Sequence, residues 1–236
     1  MDKLVIVTPF KCGSSTLSTI LTKHYGYKLS WEKNKDNSDS YKKNKKFILR
    51  GHDKLDYKLL RYNKFDIWFT IIRKPTDIYL SAYFQDINCK NYPYYFGDEN
   101  KVLKTPTQEL VDHFLKFNWD NFSQCSYFFN FQQIYNFTKI KIMNNTFNKT
   151  KGYSIYKSPV RKIKVVVLTI ESLSKIQNIL SELGFNIEKN IENIKDNNAD
   201  KKWYSEKYKD FKKNIPSSFF EKYQYIDKVI LDHFYN

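Results

Sequence analysis

Cysteine and histidine are both scarce in this chain, and each shortage narrows the classes of function open to it. Three cysteines in 236 residues, Cys12, Cys89 and Cys125, are an odd number at no metal-binding spacing. That excludes a disulfide scaffold or a zinc module and suits a reducing compartment. Four histidines leave few candidates for a general base near neutral pH. No apolar run approaches the length of a bilayer span. The first strand pattern starts at residue 3, which leaves no room for a leader or anchor, so a cytoplasmic protein without a membrane span is expected. No RNP, KH, zinc-finger or helix-turn-helix pattern is present, and no internal repeat.

What the chain has in excess is positive charge. Lysine and arginine number 40 against 25 acids, a net charge of +15, with lysine dense at 33–46, 149–164 and 201–213. A basic face favours polyanions: an acidic or already sulfated glycan, a membrane surface, or nucleic acid. Tyr and Phe interleaved with Lys across 201–213 would suit stacking on single strands. The richness in Lys, Asn, Tyr and Ile also fits AT-biased coding, which raises lysine without function. Hydrophobic content of 41% with 18% aromatics excludes a disordered chain, and the length predicts a single domain over 1–236.

Apolar, β-branched runs predict strands near 3–8, 46–50, 66–72 and 164–169, separated by helical segments, the pattern of an α/β protein with a mostly parallel sheet. Residues 31–46 read as a polar, lysine-rich loop and 88–106 as a Tyr/Pro/Asn-rich insertion able to act as an acceptor lid. Residues 107–137 read as helical. Residues 139–163 read either as a β-hairpin around Asn144 to Gly152 or as a loop without fixed structure. Helices are expected at about 171–184, 201–213 and 218–234.

Two segments carry chemistry. Leu4-Val5-Ile6-Val7 runs into Lys11-Cys12-Gly13-Ser14-Ser15-Thr16-Leu17, a strand turning through Lys-x-Gly into a helix. The first backbone N–H groups of such a helix point outward unsatisfied, and its dipole adds roughly half a positive charge. Gly13 lets the backbone approach a ligand, and Lys11 supplies a full charge. A phosphate-like group is the expected occupant; the plainer reading is a corner in which Ser14 or Ser15 caps the helix. The lysine precedes the glycine and no earlier glycine exists, so this is not a Walker loop. Cys12 lies where a thiolate would be stabilised and reads as an incidental loop residue.

The second segment is Ile67-Trp68-Phe69-Thr70-Ile71-Ile72 followed by Arg73-Lys74-Pro75-Thr76-Asp77-Ile78-Tyr79-Leu80-Ser81-Ala82-Tyr83-Phe84-Gln85. Pro75 suits the first turn of a helix, with Ile78, Tyr79, Leu80, Tyr83 and Phe84 as its apolar contacts. Ser81 lies two turns, about 12 Å, beyond Arg73.

Lys-x-Gly-[Ser/Thr]₃-Leu after the first strand, then Arg-x-Pro-x-Asp-x-x-x-Ser after a later one, resembles the sulfotransferase superfamily. The likeness implies a P-loop-like three-layer fold and PAPS, 3′-phosphoadenosine 5′-phosphosulfate, as the sulfate donor, with no metal. By position it assigns Lys11, Cys12, Gly13, Ser14, Ser15 and Thr16 to the 5′-phosphosulfate and Arg73 and Ser81 to the 3′-phosphate. Val165-Val166-Val167-Leu168 followed by Thr169-Ile170-Glu171-Ser172-Leu173 resembles the late strand and helix start of these enzymes, and Asp200–Phe211 and the terminal His233-Phe234-Tyr235 resemble a sulfotransferase-like family first described as capsular polysaccharide synthesis proteins. The alternative for 200–211 is a plain surface helix with aromatic anchors. The chain departs from the superfamily pattern at Lys74, where an acid or Asn is common, and at Ile78, where a second basic residue is.

The resemblance implies transfer of a sulfuryl group to a hydroxyl or amine of a carbohydrate, with Lys11 aimed at the leaving oxygen. His52, at the exit of the second strand in Arg50-Gly51-His52-Asp53, resembles the catalytic histidine of glycan O-sulfotransferases; a surface role is the alternative. Glu99, Glu109 and Glu171 are other candidate bases, Glu171 reading better as a first-turn helix residue. His24, His113 and His233 read as packing residues. Two rival functions stay open: a nucleotide-dependent phosphotransferase, and a polyanion- or nucleic-acid-binding protein without turnover.

Overall fold

The computed structural model describes residues 3–9, 11–31, 46–51, 55, 60, 64–91, 93–119, 124–186 and 202–236. The chain divides into two compact units, one of residues 1–73, 126–195 and 233–236 and one of residues 74–125 and 196–232.

The first unit is built on a six-stranded sheet. Its strands are β1 (Lys3–Val7), β2 (Lys28–Trp31), β3 (Phe47–Gly51), β4 (Ile67–Ile72), β5 (Tyr153–Lys157) and β6 (Lys164–Thr169), in the spatial order β2-β3-β1-β4-β6-β5. All neighbours are parallel except β5, which closes one edge antiparallel to β6. Parallel strands covered on both faces read as unbroken apolar runs. Leu4–Val7, Phe69, Ile71, Ile72 and Val165–Leu168 are accordingly all fully buried. Helix α1 (Ser14–Tyr25) and most of α5 (Gln124–Thr138) belong to this unit, as does α6 (Ile176–Glu182), which continues a 3₁₀ segment, Ile170–Lys175.

The topology fixes where a ligand would sit. From β1 the chain leaves through α1 towards β2, while beyond the adjacent β4 the sheet grows the other way, to β6. Neighbouring strands whose connections depart in opposite directions open a crevice at their carboxyl ends. The loops that follow β1 and β4, holding Lys11 and Arg73, border that crevice.

The second unit holds α2 (Pro75–Asp86), α3 (Glu99–Lys104), α4 (Thr107–Lys116), α7 (Ser205–Asn214), α8 (Ser217–Ile226) and most of α9 (Lys228–Phe234). Its core is aromatic. Tyr83 stacks on Phe211 at 5.5 Å between centroids, and Phe84 meets Phe211 at 4.6 Å. Buried tyrosines need partners for their hydroxyls: Tyr83 donates to the Leu110 carbonyl and meets His113 Nδ1 at 2.8 Å, and Tyr79 donates to buried Asp227. Pro75 stands at the start of α2, and all five apolar contacts expected of that helix are buried. Among the described residues of the lysine-rich 201–213 segment, α7 begins at Ser205 and is anchored by buried Phe211, with buried Tyr204 just before it; these two buried rings cannot stack on a base.

The described residues of 107–137 are largely helical, as expected, in α4 and α5. Residues 139–163 form no hairpin of their own: a short 3₁₀ turn, Ile142–Asn144, leads to β5, which pairs with β6 instead. His113 packs as expected against Tyr83 and Phe96. His24 does not, being exposed in the last turn of α1.

Candidate functional site

The turn from β1 into α1 takes its shape from two residues at positive φ, Lys11 (63°) and Gly13 (80°). A lysine in the left-handed region costs about 1–2 kcal/mol, and strain of that kind collects where function needs it. Gly13, not Ser14 or Ser15, is the N-cap of α1. It supplies no side-chain cap, and the first turn carries no acidic residue. The helix therefore opens with N–H groups that no side-chain cap covers and a positive dipole end, the local condition for binding an anion. Ser14 is buried, Ser15 exposed and Thr16 half-buried at the start of the helix.

Gly13 is also held from below. A Cβ added there would come within 2.9 Å of Leu173 Cδ1 and 3.6 Å of Ile170 Cδ1, both on the 3₁₀ segment that follows β6. This is the structural role of the late strand and helix start singled out above. Gly13→Ala is expected to lower stability by about 1–2 kcal/mol from the backbone alone, with Leu173 displaced as well. Urea unfolding checks it; an unchanged midpoint would contradict this account of the turn.

Two arginines from neighbouring strands close on the loop. Arg73, just past β4, donates from Nη1 to the Lys11 carbonyl at 2.9 Å. Its own backbone is clamped by Tyr127 of α5, whose hydroxyl accepts from the Arg73 N–H at 3.1 Å and donates to the Arg73 carbonyl. Arg50, in β3, lies under the first turns of α1. It donates from Nη2 to Ser15 Oγ at 2.8 Å and from Nη1 to Ser18 Oγ at 3.0 Å. Burial pulls the Arg50 guanidinium down to about 10, so it stays charged at neutral pH. Accepting from Arg50 leaves the exposed Ser15 hydroxyl its own proton to donate outward.

Cys12 is wholly buried, its Sγ 3.7 Å from the Tyr127 hydroxyl. Tyr127 spends its proton on Arg73, so the thiol is the donor in this contact. Burial pushes the thiol up to about 12, against the smaller opposing effects of Tyr127 and Arg73. The stabilised thiolate suggested by the loop's charge is not found: a fully desolvated sulfur keeps its proton. Toward an anion Cys12 can offer only its backbone. The terminal segment reaches the same place, as Tyr235 donates to the Ile72 carbonyl at 3.2 Å and Phe234 is buried against Phe131 and Phe147.

The structure thus brings together Lys11, Cys12, Gly13, Ser14, Ser15, Thr16 and Arg73. Ser81 is half-buried on α2, within the second unit, where Ile78 is buried and Lys74 exposed. His52 and Asp53 lie outside the described residues, as do 32–45 of the lysine-rich loop. Glu171 occupies the first turn of the 3₁₀ segment, and Glu99 and Glu109 the first turns of α3 and α4, places where a carboxylate complements the helix dipole. Arg50 and Tyr127 were not expected from the sequence. Their partners lie 32–35 and 54 residues away, a separation no local motif encodes. Comparison with protein-family models and with curated proteins finds no match for this chain, so the reading of its function rests on its own residues.

Proposed function

We propose that the chain is a PAPS-dependent sulfotransferase on a P-loop-like α/β fold, transferring a sulfuryl group to a hydroxyl or amine of a carbohydrate. The observation that carries this reading is the seating of Arg73 on the carbonyl of Lys11, beside a helix N-terminus that has no side-chain cap. Two cations and a row of N–H groups and hydroxyls then serve one crevice, as a donor with phosphates at two places requires. An ATP-dependent phosphotransferase is the weaker reading, because β4 runs out to Arg73 where a magnesium-binding carboxylate would be wanted. The net charge of +15 suits an acidic or already sulfated glycan as acceptor.

In the proposed reaction the acceptor oxygen or nitrogen attacks sulfur in line. The new bond to sulfur forms as the bond from sulfur to the bridging oxygen breaks, and 3′,5′-ADP departs carrying that electron pair. Lys11 stabilises charge that is complete on the bridging oxygen only in the transition state. Ser15, Thr16 and the first N–H groups of α1 hold the phosphosulfate, and Arg73 the 3′-phosphate. His52 is assigned the acceptor's proton.

Transfer of labelled sulfate from PAPS to a panel of glycans tests the assignment. His52→Ala is expected to slow it by about 10²–10⁴. A panel rich in acidic glycans that accepts no label, or an unaffected His52→Ala rate, would overturn the activity or the base respectively.

A further inference from the structure

At the opposite end of β4 from Arg73 the first unit carries a pocket of about 270 Å³. Trp68 and Arg73 are five residues apart on an extended chain, or roughly 16 Å, so this pocket is separate from the anion loop. Its floor is aromatic: Phe65, Trp68 and Phe137 are buried, and Trp68 of β4 stacks on Phe137 of α5 with centroids 5.6 Å apart. Its rim is cationic, formed by Lys64, Arg161 and Lys162, and none of the described residues lining it is acidic.

Two features make this a built site. Trp68 is 1% exposed, and its indole N–H has no hydrogen-bond partner among the described residues. Such an orphaned donor costs about 1–3 kcal/mol, and nearly all buried polar groups avoid it. The turn bearing the two rim cations is also internally fixed. Ser158 Oγ accepts from the N–H groups of Val160 (3.3 Å) and Arg161 (3.1 Å) and donates to the Thr138 carbonyl, at the end of the helix that carries Phe137.

We propose that this pocket binds a small aromatic anion, one or two rings bearing a sulfate, sulfonate, phosphate or carboxylate. The rings lie on the Trp68–Phe137 floor, the Trp68 indole N–H gains an acceptor, and Arg161 and Lys162 take the charged group. The volume falls at the lower edge of small-molecule sites, which begin near 300 Å³, and sets the limit of two rings. A charged group held between rim cations above an apolar floor combines apolar burial with charge-assisted hydrogen bonds.

The test is a titration of the full chain with 1-naphthalenesulfonate, following the indole N–H resonances of its four tryptophans by NMR, with Trp68 assigned through Trp68→Phe or by backbone connectivity. A saturable shift of the Trp68 resonance is expected, weakened at least tenfold in the exposed pair Arg161→Ala/Lys162→Ala and unchanged in Lys11→Ala. Neutral 1-naphthalenemethanol and inorganic sulfate alone are each expected to bind at least tenfold more weakly. An unmoved Trp68 resonance would overturn the proposal, and so would equal affinity in the rim variant or for either control. Loss of the shift in Lys11→Ala would place the probe at the anion loop and overturn it too.

Discussion

Lys11→Ala is expected to cut sulfuryl transfer by on the order of 10³, about 4 kcal/mol of transition-state stabilisation, while leaving the fold intact. The expectation rests on which parts of Lys11 hold the loop together. The contact with Arg73 runs through the Lys11 carbonyl, which alanine keeps. The positive φ of 63° is no worse for alanine than for lysine, since both carry a Cβ. The substitution therefore keeps the carbonyl anchor and removes the side-chain charge. Turnover at saturating donor and acceptor measures the loss, and an unchanged unfolding midpoint shows that the loop survives. Near-normal turnover would remove Lys11 from the mechanism. Lys11→Arg tests geometry as distinct from charge: a planar fork in place of a compact ammonium should restore only a fraction of the rate.

The second large effect is expected at Arg73, and it should appear in donor binding. Arg73→Ala removes a guanidinium that the proposal places on the 3′-phosphate. A charge-assisted hydrogen bond of this kind contributes about 1.5–3 kcal/mol, so affinity for 3′,5′-ADP should fall about 10- to 100-fold. Affinity for 5′-ADP should fall much less, because its phosphates are assigned to Lys11 and the α1 N-terminus. The structure adds a complication, since the same side chain anchors the Lys11 carbonyl. Arg73→Lys separates the two roles: it keeps one charge, with its donors on a single nitrogen, but loses the fork. If both ligands weaken equally in Arg73→Ala, the residue acts only by holding the loop.

Much of this site could be read from local sequence because its parts are local. A strand, a Lys-x-Gly turn and a run of hydroxyl residues are contiguous, and so are the end of β4, Arg73 and Pro75. The four interior strands were legible as apolar runs because burial on both faces leaves no room for polar residues. The two edge strands were not. Lys28–Trp31 is only four residues long, and Tyr153–Lys157 is half-exposed along most of its length, so neither shows an unbroken apolar run. Register and partner choice were equally hidden: β5 was weighed as half of a local hairpin, yet its partner is β6.

The supporting side chains were hardest to see. Arg50 could be taken for a surface residue after a short strand, whereas it is 5% exposed beneath α1. Tyr127 is one of 19 tyrosines, and only the packing of α5 along β4 shows that it clamps the backbone at Arg73 and meets the Cys12 thiol. The Cys12 result has the same origin. The electropositive loop would lower a thiol's pKa if the sulfur faced solvent, and burial reverses the sign.

The central claim is that the crevice beside β1 and β4 recognises a nucleotide phosphorylated at both 3′ and 5′ positions. The most direct measurement is calorimetric binding of 3′,5′-ADP and of 5′-ADP to the full chain in the absence of magnesium. A preference of at least about tenfold for 3′,5′-ADP is predicted, the contribution of one arginine–phosphate contact. Equal affinity for the two nucleotides, or binding of neither, would contradict the sulfotransferase reading and leave the basic surface to a polyanion-binding function.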